Sequence, residues 1–174
     1  MSDYSQAEVL LFGTEGHEAE VADLLTEFGF QVDYGAMSHE FDATEIRDGE
    51  TYMHDSAGLM ICSELGDKLE AIGVSYHVSQ EAKYEWDGTV RIFTPRLGAF
   101  ESVGSNDGDV LLHAHELDRV IEKWKEDGTH SPEPPSAAEL VKRLQLLTGT
   151  AHRTWFEEKM KEVFDGGRSG EGSQ

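Results

Sequence analysis

The chain has 174 residues, of which 38% are hydrophobic, and carries 35 Asp and Glu against 14 Lys and Arg, a net charge of −21 at pH 7. That length can bury a real core, and 8 Phe, 5 Tyr and 3 Trp argue against a disordered polyanion. The charge disfavours direct contact with nucleic acid or an anionic membrane surface, and no apolar run reaches the roughly 20 residues that cross a bilayer.

Ala7–Phe12 reads as a buried strand ended by Gly13. Thr14 is the expected N-cap of a helix with Glu15 and Glu18 in its first turn, where the helix dipole favours acids. Val21, Leu24, Leu25 and Phe28 fall at i, i+3, i+4 and i+7, an apolar stripe. Gly29 supplies a left-handed stop, after which Phe30–Tyr34 is predicted to resume as a strand. A polar stretch, Ala36–His54, ends in a short predicted strand, Thr51–His54.

A second unit looks alike: strand Ala57–Cys62, cap Ser63, stripe Leu65, Leu69 and Ile72, stop Gly73, strand Val74–Val78. The two helix-ending glycines lie 44 residues apart (73 − 29), each followed by an apolar-polar-apolar run. Two strand–helix–strand units predict an α+β fold with a small mixed or antiparallel sheet, a ferredoxin-like split β–α–β among the options.

Trp86-Asp87-Gly88 reads as a three-residue hairpin loop that sets Tyr84 opposite Val90 and Ala82 opposite Ile92. Pro95–Gly108 reads as loop, Asp109–His113 as a strand, and Glu116–Glu126 as a helix with the stripe Leu117, Val120, Ile121 and Trp124. Ser136 and Glu139 form a capping box before Leu140, Leu144 and Leu147. Gly149 stops that helix, and a last one runs from about Ala151 to Phe164 with the apolar residues Phe156, Met160, Val163 and Phe164. The expected plan is an acidic α+β domain (1–127), a Pro-rich linker (128–135), a helical hairpin (136–165) and a Gly/Ser-rich disordered tail (166–174).

The charge is unevenly placed. Residues 1–67 hold 16 acids and one base, Arg47 (1 − 16 = −15); residues 68–127 hold 12 and 7 (−5); residues 128–174 hold 7 and 6 (−1). Acids that serve only solubility would spread over the whole exterior, so the asymmetry points to a face made for a basic partner. The candidate contact residues are Glu15, Glu18, Glu20, Asp23, Glu27, Glu40, Asp42, Glu45 and Asp48. Glu20, Asp23 and Glu27 follow one another at i, i+3 and i+7 on the helix side away from the apolar stripe, with axial spacing of roughly 5 Å. Ordered carboxylates can stand in for phosphates. The expectation is a cytoplasmic, non-enzymatic binding protein without cofactor, docking the basic surface of a DNA- or RNA-binding protein as a nucleic-acid mimic or inhibitor. In size and charge alone the chain resembles small acidic inhibitors of restriction and other nucleic-acid-handling enzymes; no motif carries the resemblance, so it assigns no residues.

Two alternatives belong to other classes. In a strand, His113 and His115 would present both imidazoles to one metal ion, making a metal-dependent enzyme. A metallo-hydrolase pattern would then need Asp and His where the chain has Leu117 and Asp118, and a cupin pattern fails at Arg119 and Val120. An assembly subunit, a homodimer included, could instead self-associate through Leu140, Leu144, Trp155 and Phe156. Gly13-Thr14-Glu15-Gly16 lies where a phosphate-binding loop would, but lacks the lysine and brings acids. Cys62, the single cysteine, has apolar neighbours and reads as a buried thiol.

Overall fold

The computed structural model describes residues 5–32, 39–58, 60–83, 87–105, 110–111, 114–130 and 136–168. In chain order they form β1 (Ser5–Phe12), α1 (Glu18–Glu27), a 3-10 turn (Ala43–Glu45), β2 (Thr51–Ala57), α2 (Ile61–Ala71), β3 (Ser75–Gln80), β4 (Gly88–Thr94), β5 (Gly98–Gly104), β6 (Val110–Leu111), α3 (Ala114–His130), α4 (Ala137–Leu147) and α5 (Thr150–Arg168). The strands make one antiparallel sheet in the order β2-β1-β3-β4-β5-β6. The class is α+β, with α4 and α5 as the C-terminal helical pair. The proposed linker and tail mostly fall at 131–135 and 169–174, outside the described residues, while α3 continues through His130 and α5 through Arg168.

Because β2 and β3 both run antiparallel to β1, they are parallel to each other, and α2 crosses between them with β1 in the gap. This is a split β–α–β unit. The first unit is built differently, since α1 joins β1 to its own antiparallel neighbour β2. Of the predicted strand Phe30–Tyr34, the described part contributes a single bridge, Gln31 to Met53. The resemblance between the two units resides in their helix ends. Gly29 (φ +74°) and Gly73 (φ +77°) adopt the left-handed conformation, and the next N–H reaches back five residues, Phe30 to Leu25 O at 2.9 Å and Val74 to Leu69 O at 3.1 Å. Both are Schellman stops, after which the paths diverge.

Four other expectations are corrected. The strand expected at Thr51–His54 forms and runs on to Ala57 as β2, whereas the run Ala57–Cys62 is not a strand of its own, because Ile61, Cys62, Leu65 and Leu69 bury at helical spacing and open α2. The β3–β4 hairpin pairs Gln80 with Thr89 and Tyr76 with Phe93, so its loop is longer than three residues. Gly88 lies inside the sheet, where a Cβ would come 2.7 Å from Gly104 O and 2.8 Å from Gln80 O; the glycine permits close strand approach and is not the turn. Pro95–Gly108 contains a whole strand, β5, joined to β4 by the three-residue loop Pro95-Arg96-Leu97. Leu97 N–H donates to Thr94 O at 3.1 Å and Gly98 takes φ +79°, a proline-initiated turn closed by a left-handed glycine. Finally, Thr14 does not cap α1; His17 holds the N-cap position.

β1 is apolar on both faces. Ala7, Val9 and Leu11 join Val21 and Leu25 of α1 and Leu65 and Leu69 of α2 in the larger core, with Phe41 and Ile46 from the segment around the 3-10 turn. Phe12 and Leu10 face the other way, with Val90, Ile92, Phe100, Trp155 and Phe156. Phe12 meets Trp155 and Phe156 edge-to-face at 5.9 and 5.4 Å. Helices thus cover both faces: α1 and α2 on one, α5 on the other, with α4 against α5 and α3 against α4.

Two histidines are enclosed where α5 meets the sheet, His77 on β3 and His152 on α5 itself. His77 of β3 lies 6.1 Å from the Phe156 ring, and its Nε2 is buried with no hydrogen-bond partner among the described residues. Burial, reinforced by the nearby Arg153 cation, pushes its pKa down to about 4. His152 is 2% exposed; its Nε2 donates to Gly98 O at 3.2 Å, and burial lowers its pKa too. A histidine with a depressed folded pKa binds protons more weakly than the unfolded chain, so stability is intact above the unfolded value and falls as pH drops towards the folded one. Between about pH 6.5 and 4, His77 should cost up to about 1.4 kcal/mol of stability per pH unit. Urea denaturation at pH 7 and pH 5 should show the loss, and His77→Leu should shrink it.

Candidate functional site

The acidic segment becomes one layer. α1, the 3-10 turn and α2 pack together on a single face of the sheet, so the acids these elements carry gather there while the nearly neutral helices α4 and α5 lie on the other side. Glu20, Asp23 and Glu27 are exposed on α1, opposite the buried Val21, Ala22 and Leu25.

Several of the nine candidate acids also serve the fold. Asp48 reaches across to the loop after β1, accepting Gly13 N–H at 3.0 Å, Thr14 N–H at 2.9 Å and Thr14 Oγ1–H at 2.7 Å. The loop that resembles a phosphate cradle therefore has those two amides engaged by the chain's own carboxylate. Gly16 N–H is taken by Glu18 at 2.9 Å. Asp42 caps the 3-10 turn through Thr44 N–H at 2.9 Å, and Glu45 returns to Asp42 N–H at 2.8 Å, a reciprocal capping box. The Thr44 amide holds Asp42 below the ordinary carboxylate pKa, and the Asp42 amide does the same for Glu45. Glu20 bonds His17 at 2.8 Å, and Glu27 bonds Lys68 of α2 at 2.6 and 2.8 Å. Glu15, Asp23 and Glu40 are exposed.

The sequence reading passed over Arg91. This β4 residue points under α2 and is 9% exposed. Its guanidinium bonds Ser63 O at 3.0 Å, Asp67 at 2.6 Å and Glu70 at 2.7 Å, with Glu101 of β5 at 3.7 Å. Tyr76 donates to the same Glu70 oxygen at 2.6 Å. Burial works against the arginine's charge, but the two short carboxylate bonds outweigh it and raise its pKa. Burial, then donation to Glu70, raises that of Tyr76. The network leaves room for no side chain at Gly66, where a Cβ would sit 2.6 Å from Tyr76 Oη and 2.9 Å from Arg91 Nε. The sequence signal was parity: Val90 and Ile92 bury on one face, which sends Arg91 to the other.

The remaining candidates are dispersed. His115 is exposed in the first turn of α3, and His113 lies outside the described residues. Among the described residues no group of three or more His, Cys, Asp or Glu is arranged to hold a metal ion. Cys62 is buried beside Gln80 and Thr89, and burial, then the Glu101 charge, pushes its thiol pKa up to about 12. Trp155 and Phe156 pack on Phe12, and Leu140 and Leu144 are half-buried. No helix among the described residues is long and apolar enough to cross a membrane. Comparison of the chain with protein-family models, with curated proteins and with solved structures finds no match.

Two stability measurements separate structural acids from outward ones. Asp48→Ala leaves two loop amides without their acceptor and should cost about 1–2 kcal/mol, whereas Asp23→Ala should stay within about 0.5 kcal/mol. Arg91→Met should cost about 2–3 kcal/mol, less than a fully buried pair because Asp67 and Glu101 keep access to water. Denaturant midpoints measured at one salt concentration check all three.

Proposed function

We propose that the protein is a non-enzymatic, cytoplasmic binding protein whose acidic layer docks a basic surface on a nucleic-acid-binding protein, in the manner of a nucleic-acid mimic. The observation that carries the reading is the gathering of the acidic segment's helices on one face of the sheet, with Glu15, Asp23 and Glu40 exposed and the near-neutral helices opposite. Such a layer produces a one-sided negative field, which steers a cationic partner and fixes its orientation. Basic residues in the layer are scarce: residues 1–67 have only Arg47, and Lys68 is engaged with Glu27.

The test uses acids without a bonding role described above. Glu15→Lys, Asp23→Lys and Glu40→Lys together change the net charge by +6 (3 × 2) and should leave the melting temperature nearly unchanged. Binding to a panel of basic DNA- and RNA-binding domains, measured with and without competing duplex, should weaken by about tenfold or more and should fall with added salt. Lys142→Glu with Lys161→Glu, on the opposite layer, should matter little. Equal binding by both variants, or affinity flat with salt, would reduce the acidic layer to a solubility device.

A further inference from the structure

One place in the acidic layer is more than charge. Between the end of α1 and the start of α2 lies a recess of about 510 Å³. Phe28, Ile61 and Met60 line it with apolar surface, and His54 of β2 adds a wall. Met60 is 55% exposed although it is large and apolar. The rims are carboxylates, Glu27 from α1 and Glu64 from the first turn of α2, both exposed. Burial lowers the His54 pKa, so this wall adds no cation at neutral pH. Counting Glu27, Glu64 and the neighbouring Lys68, the rim keeps a net charge of −1 (1 − 2).

An apolar floor between carboxylates complements a long aliphatic side chain that ends in a cation. Such a chain lays its methylenes on the floor and its charged head at the rim. The protein supplies its own example. Lys68 places its ammonium 5.0 Å from the centre of the Phe28 ring while bonding both oxygens of Glu27. A cation–π contact and a charge-assisted pair act on the same ammonium. Across the groove, Glu64 and the adaptable thioether of Met60 offer a similar pairing of acid and soft apolar surface to an incoming side chain.

We propose that this groove receives a lysine or arginine side chain of the basic protein partner, with its methylenes over Met60 and Phe28 and its cation at Glu64. The proposal rests on the acidic-layer reading and narrows it. Charge alone is satisfied anywhere on the layer, whereas the groove requires an aliphatic stem.

The experiment titrates the full chain, labelled at its methionine methyls, with a short oligolysine at low salt. The Met60 methyl resonance should shift and saturate. Met60→Ser and Glu64→Gln should each weaken binding by about three- to tenfold, while Met60→Leu, which keeps the apolar floor, should bind like wild type. Glu157→Gln with Glu158→Gln, exposed on α5 across the sheet, removes two charges outside the acidic layer and should bind within a factor of about two of wild type. Thermal melts establish that each variant is folded. Should oligolysine bind in a salt-sensitive way while Met60 stays silent and Glu64→Gln matches wild type, the groove proposal fails and the acidic-layer reading stands. Should oligolysine not bind at all, both fail.

Discussion

The burial of β1 on both faces is the constraint from which the rest follows. A central strand covered by helices on two sides must be apolar at successive positions, and Val9, Leu10, Leu11 and Phe12 meet that demand. One parity closes the core under α1 and α2; the other receives Phe156 and Trp155 of α5. Hydrophobic transfer is non-directional, so it commits the helices to the two faces but leaves their placement to finer contacts. On the first face those contacts include the Arg91 network, which ties α2 to β3, β4 and β5. On the second they include the aromatic edges around Phe12.

Arg91 also shows how the fold tolerates charge in its interior. A lone guanidinium under a helix would be costly, and the cost is offset only when its donors are matched by acceptors of good geometry. Asp67, Glu70 and the Ser63 carbonyl supply the match, and Tyr76 satisfies Glu70 further. Gly66 is the backbone accommodation that lets α2 come down over this cluster.

How much of this was legible follows from what each signal measures. The stripes of α1 and α2 and the stops at Gly29 and Gly73 were readable because helical periodicity and left-handed glycine are local. The α+β class followed from them. The β3–β4 register was not readable, because Gly88 offers the same local signal whether it makes a turn or lets two strands approach. The distinction depends on Gly104, sixteen residues on (104 − 88), which no window around Gly88 contains. β5 was missed although Thr94-Pro95-Arg96-Leu97-Gly98 spelled its turn, because loop composition outweighed alternation. Ile61 and Cys62 were given to a strand because a short apolar run is ambiguous until its partners are known. At the site, the exposure of Glu20, Asp23 and Glu27 followed from helical spacing. The bonds of Asp48 to a loop 34 and 35 residues away did not, since carboxylate and amide meet only in the folded chain.

Those bonds bear on what the acidic layer can do. With one base in the first 67 residues, few of their carboxylates meet a cation of the chain, as Glu27 meets Lys68 and Asp67 meets Arg91. Several others are held by backbone N–H groups: Asp48 on Gly13 and Thr14, Asp42 on Thr44, Glu45 on Asp42, and Glu18 on Gly16. An amide is a dipole. It stabilises the carboxylate it faces but carries no net charge, so the monopole of the layer survives at distances where the dipoles have decayed. An ion pair such as Glu27 with Lys68 cancels its charge; an amide-held acid does not. Pairing acids with amides thus fixes where the charges sit while keeping their field directed outward, a combination that solubility alone does not require and that a positioned basic partner would exploit.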